Sequence, residues 1–179
     1  ELKMKATEIL SEEHRHILKV IDAIEEECKA LEAGKSLDKK FFLDAIDFIR
    51  NYADKFHHAK EEDILFEELN NGEANMHCNP THQMLYEHDR GRYFVKCVEE
   101  GVKENNKHKV VETAWRYAHL LREHIMKEDD ILYPMADEAL SEGVKAKMLK
   151  RFSEAEAKRF SKGTKEKYLE MADKMRRRK

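Results

Sequence analysis

Helix breakers are scarce in this chain: 179 residues contain only two prolines and six glycines. Strands need turn residues at short intervals, so this scarcity argues against sheets and for long helices. Cysteine is also rare. Cys28, Cys78 and Cys97 form no CxxC pair and leave an odd count, so neither a disulfide framework nor a zinc ribbon is indicated. Apolar runs are short, and none approaches the roughly 18 residues of a membrane span. The opening ELKMKATEIL has neither the apolar core nor the cleavage site of a signal peptide, and a cytoplasmic location is expected. Neither sign of charge dominates: 34 basic against 37 acidic residues leave a net charge of -3 and no electrostatic case for nucleic acid. Charge itself is abundant, at 40% of the chain, which suits amphipathic helices with ion-paired outer faces.

Caps and breakers divide the chain. Thr7 can cap a first helix that Gly34 stops, and Asp38 can cap a second running to about Leu69. The stretch NNGEANMHCNP between Asn70 and Pro80 reads as a loop, because Asn-Gly and Asn-Pro favour turns. A third helix is expected from about Thr81 to Val102 and a fourth from about Lys109 to Ala139, kinked or ended early by Pro134. Shorter helical patterns follow at about 144–160 and 164–177, with Tyr168 and Leu169 as packing residues. The expected division is residues 1–140 as a bundle and 141–179 as a C-terminal helical extension packing on it.

One cassette occurs twice. KEEDILF at Lys60–Phe66 returns as KEDDILY at Lys127–Tyr133, and a histidine precedes each lysine by three residues. The resulting pairs, His57/Glu61 and His124/Glu128, are four residues apart. On a helix they share a face about 6 Å apart, where an imidazole and a carboxylate can meet one metal ion. A second repeat places Glu-His at His14 and again at His88, each upstream of a cassette.

Helical phase tests which histidines face inward. His14 lies in a stripe with Leu10, Ile17, Leu18 and Ile21, and His88 lies with Met84, Leu85, Val95 and Val98. His57 follows Ile49 and Ala53 and precedes Ile64, while His124 has Tyr117, Leu120, Leu121 and Ile131. His16 and His58 share their faces with polar residues and are expected to point away; His57 and Glu61 are therefore preferred to His58 and Glu62. His77, His82, His108 and His119 are read as surface groups. A lone histidine on an apolar face is more often a hydrogen-bonded core residue than a ligand. Four imidazoles and two carboxylates together are a different matter, because their burial without a cation is strongly penalised.

The Glu-His and HxxKE[ED]xxL[FY] elements, in this order, resemble the hemerythrin-like (HHE cation-binding) domain from about Thr7 to Glu138. The resemblance implies an all-α, up-down-up-down four-helix bundle around a non-haem di-iron centre, the architecture that myohemerythrin exemplifies. It implies histidine ligands at His14, His57, His88 and His124 and bridging carboxylates at Glu61 and Glu128, with Asp129 as the alternative to Glu128. Oxygen carriers of the family have a fifth histidine four residues from the one on the third helix. Arg92 and Met84 stand at those positions here.

A four-histidine, two-carboxylate set implies two iron ions, oxo- or hydroxo-bridged, each with an exchangeable position; manganese or zinc are alternatives. The expected function is binding or reduction of O2, NO or peroxide, in sensing or detoxification, with a redox partner protein, and Tyr52, Tyr86 and Tyr117 are the tyrosines closest to the proposed ligands along the helices. A sensor or iron store without turnover is the first alternative. A zinc-binding or metal-free structural bundle is the second.

Overall fold

The computed structural model describes residues 4–72, 74 and 76–178. Every element among them is helical. Helix α1 spans Ala6–Glu32; α2 covers 39–70, α3 Thr81–Lys103, α4 107–139, α5 Glu142–Arg159 and α6 Thr164–Arg176. Asp38 caps α2 as expected, its side chain accepting from the Phe41 N–H at 3.0 Å. Gly34 ends α1 at φ 107°, a conformation that a side chain disfavours. Thr7 is not the cap of α1. It lies in the first turn, where its hydroxyl donates to Asp137 on α4 at 2.9 Å. Residues 73 and 75 of the expected loop lie outside the described residues.

Each of the first four helices packs on the next, and α1 closes on α4, which makes an all-α bundle of antiparallel neighbours. Helices α5 and α6 cover the groove between α1 and α2. The apolar core is split in two. One cluster runs from Ile17 to Leu31 on α1 and includes Phe48, Tyr52, Phe56, Val98 and Tyr117, together with Tyr168 of α6. The other gathers Leu10, Ile64, Leu65, Met84 and Leu132 with Met148 and Phe152 of α5. All the histidines of the cassettes lie in the layer between the clusters.

Helices α2 and α4 are not α-helical throughout. Ile49–His58 and Glu61–Leu65 in α2, and Glu128–Leu132 in α4, form i→i+5 π-helical turns. Such wide turns are uncommon and concentrate at functional sites. They also carry α4 through Pro134 to Ala139, since the proline falls just beyond the last π turn. No described helix is long and apolar enough to cross a membrane.

Phe152, 3% exposed, fastens the extension to the bundle. Phe152→Ala should therefore cost about 3–5 kcal/mol, as truncation of a buried aromatic does. Urea denaturation of the full chain measures it. A loss below 1 kcal/mol would mean that α5 rests on the surface.

Candidate metal centre

His14, His57, His88, His124, Glu61 and Glu128 all converge in the layer between the two core clusters, each no more than 2% exposed. Two facing pairs of imidazoles define it. The Nε2 atoms of His14 and His57 are 2.9 Å apart, and those of His88 and His124 are 3.0 Å apart. Glu128 lies between the pairs, with Oε2 3.1 Å from His14 Nε2 and Oε1 2.9 Å from His124 Nε2. Glu61 Oε2 faces His88 Nε2 at 3.3 Å and His57 Nε2 at 3.7 Å.

A further histidine joins them. His58 is 6% exposed, and its ring stacks on His88 with centroids 3.8 Å apart. This corrects the expectation that His58 points away, and the π turns supply the reason. In an α-helix His58 would share a face with Asn51, Asp54 and Lys55; in the wider turn it keeps Asp54 and also aligns with Ala53, five residues before it, which is fully buried. The same effect in α4 leaves Ile131 53% exposed and turns Leu132 inward.

Two groups of side chains result, each with its candidate ligand atoms within 4.8 Å of one another: His58, Glu61, His88 and His124; and His14, His57, Glu61 and Glu128. Glu61 belongs to both. The donor set fits a cation, because Glu61 Oε2 and both oxygens of Glu128 are buried without hydrogen-bond partners, within 3.7 Å of the Nε2 atoms of His14, His57, His88 and His124. Unpaired buried carboxylate oxygens cost several kcal/mol unless something positive compensates.

Every Nδ1 on the far side of these rings faces a carboxylate, the arrangement that orients metal-binding histidines. His14 pairs with Asp129 at 2.9 Å, His88 with Glu62 at 2.6 Å and His124 with Glu87 at 2.8 Å. His57 and His58 face Glu13 and Asp54 at the longer distances of 3.7 and 3.6 Å. The sequence repeats now have a physical meaning. The first acid of each cassette, Glu61 or Glu128, enters the centre, and the second, Glu62 or Asp129, holds the Glu-His histidine of a neighbouring helix. The glutamate of each Glu-His pair faces a cassette histidine in return, bonded in the case of Glu87 and His124, and a cassette lysine secures it: Lys60 to Glu13 at 2.6 Å, and Lys127 to Glu87. The aromatic residue that ends each cassette stacks on a histidine, Phe66 on His88 and Tyr133 on His14.

A model of the hemerythrin HHE cation binding domain matches residues 5–136. The chain belongs to the hemerythrin HHE cation-binding family. Curated proteins and solved structures gave no match. In this HHE domain Asp129 is a partner of the His14 ring, whereas Glu128 faces the histidine nitrogens. The tyrosine in contact with the centre is Tyr133, whose hydroxyl donates to Glu61 Oε1 at 2.5 Å. Tyr86 is 60% exposed, and Tyr52 and Tyr117 bury hydroxyls that have no partner. Reading the cassette to its last letter, Phe in one copy and Tyr in the other, would have found Tyr133. No comparable signal pointed to His58, since α-helical phase was the wrong ruler there.

Charge is shared between imidazoles and carboxylates. Burial disfavours a charged His14 or His88, yet Asp129 and Glu128 hold His14 up at about 10, and Glu128, Glu61 and Glu62 hold His88 up at about 11. Burial pushes His57 down to about 3 and His58 well below its usual range. His124 is raised as well, its burial outweighed by Glu128 and Glu87. A metal ion requires neutral imidazoles, so binding at pH 7 must displace protons from these raised histidines, and affinity should increase as pH rises. Calorimetric titration of the metal-free chain with ferrous ion in two buffers of different ionisation heat should show net proton release. Binding without release would contradict this charge distribution.

Proposed function

We propose that this HHE domain holds two iron ions and binds or reduces a small ligand of the O2, NO and peroxide class, in sensing or detoxification within the cytoplasm. The observation that carries the reading is the pair of histidine groups joined by shared carboxylates. Imidazole with carboxylate suits iron or manganese, and carboxylates reaching both halves of a site favour a binuclear centre. When bound, such a centre supplies redox chemistry and an exchangeable position for a small ligand.

The chain's own residues define the rest. Glu61 and Glu128 each face nitrogens from both halves. His88 and His124, with His58, serve one half; His14 and His57 serve the other. One imidazole fewer serves the His14 side, where the Tyr133 hydroxyl stands 3.4 Å from His14 Nε2. With His58 counted, the set is three and two, an arrangement suited to holding a ligand reversibly. Without it the set is two and two, the more reactive arrangement. His58 is held less closely than His14, His88 or His124, so this one side chain separates binding from turnover. A redox partner protein is required only in the second case.

Anaerobic loading with ferrous iron should give two irons per chain, with optical spectra that change on adding O2, NO or peroxide. His124→Ala should reduce the count, and His16→Ala, at the half-buried edge of α1, should not. His58→Ala should keep iron and speed oxidation in air. One tightly held zinc per chain, indifferent to His124→Ala, would sink the di-iron reading.

A further inference from the structure

The duplication makes each half of the centre a control for the other, and the halves differ in one region. Beside His14 the bundle is filled: Ile17, Leu121 and Ile125 are buried in the core cluster. By register in the two repeats, the residues that correspond to them beside His88 are Gly91, Asp54 and His58. A large apolar side chain is thus replaced by none, and two others by polar groups. The result is a cavity of about 250 Å³ between α2 and α3, with His58 and His88 among its walls.

Gly91 is buried in the middle of a helix, where glycine costs about 1 kcal/mol relative to alanine. No close approach of backbone demands it. A Cβ there would meet Leu121 at 3.5 Å and Tyr117 at 3.7 Å, ordinary contacts. What glycine provides at this position is space. Tyr117, 3% exposed, lines the same cavity, and its hydroxyl has no hydrogen-bond partner. A buried O–H without a partner costs about 1–3 kcal/mol, and a cavity occupant that accepts a hydrogen bond would satisfy it.

The remaining walls indicate the occupant's chemistry. Ile49 and Val95 are apolar. The two arginines offer no unpaired charge: Arg92 is held by Asp54 and Glu62, and Arg50 by Glu99 in a two-point ion pair. An anion would gain nothing there, and a cation would meet guanidinium groups.

We propose that this cavity is a binding chamber for small uncharged molecules that accept a hydrogen bond from Tyr117, and that such molecules reach the centre from the His58 side. The proposal deepens the functional reading and rests on it for the ligand class. Dioxygen, nitric oxide and hydrogen peroxide are of this uncharged class; azide, nitrite and superoxide, as anions, are not.

The test reads the cavity without iron chemistry. In the zinc-loaded, diamagnetic chain, dissolved O2 should enhance methyl proton relaxation at Ile49 and Val95 above that at Leu10, which lies in the other apolar cluster. Gly91→Leu should bring Ile49 and Val95 down to the Leu10 level. If that variant fails to fold, Gly91→Ala, whose added methyl has room, should give an intermediate enhancement. Tyr117→Phe should leave the O2 effect intact and weaken saturation by hydrogen peroxide in the iron-loaded chain. Equal relaxation at the three wild-type positions would overturn the chamber, whatever the metal content. O2 entry with no reaction of the iron-loaded chain would instead overturn the functional reading and leave the chamber in place.

Discussion

The structure depends on one constraint: five imidazoles and two carboxylates lie in the middle of a hydrophobic core, where each polar atom must be matched. They are almost wholly buried, and an unmatched charge there is strongly destabilising. The match is built from neighbouring helices. Glu13 of α1 faces His57 of α2, Glu62 of α2 holds His88 of α3, Glu87 of α3 holds His124 of α4, and Asp129 of α4 holds His14 of α1. The four contacts form a closed ring around the bundle. They fix helix register at the same level at which the candidate ligands converge, so fold and site are specified by the same residues.

The ring follows the repeats, and departures from it carry the individuality of the domain. Tyr133 in place of Phe66 adds a hydroxyl that reaches Glu61. His58 in place of Ile125 adds an imidazole to one half only. Lys60 is 1% exposed and lies over Phe56, with Phe152 of α5 behind it, whereas its counterpart Lys127 is 35% exposed. Burial lowers the Lys60 pKa and raises that of Glu13, each opposed by the other's charge. The C-terminal extension thus dries one half of the ring and leaves the other partly wetted. Gly91 and Arg92, where α1 has Ile17 and Leu18, open the same α2–α3 seam that His58 lines.

Much of this was legible in the sequence. The scarcity of breakers predicted helices, and Asp38 and Gly34 marked real ends because capping and left-handed backbone are local properties. The six candidate residues, which the fold brings together, could be picked out because the cassette repeats and its spacing matches one helical turn. His58 was missed for a reason that is also local: the test of facing assumed 3.6 residues per turn, and α2 is π-helical where His58 lies. The carboxylate ring was out of reach for another reason. Its partners are 26 to 115 residues apart in sequence, and no pattern within one helix reports them. Thr7 looked like a cap because threonine often is one; its hydroxyl serves a tertiary contact to Asp137 instead.

Anomalous diffraction from crystals of the iron-loaded chain tests the central claim most directly. Two peaks are predicted, one among His58, His88 and His124 and one between His14 and His57, with Glu61 and Glu128 reaching both and Asp129 still on the His14 ring. A single peak, or a metal bound by Asp129 with His58 turned away, would contradict the account.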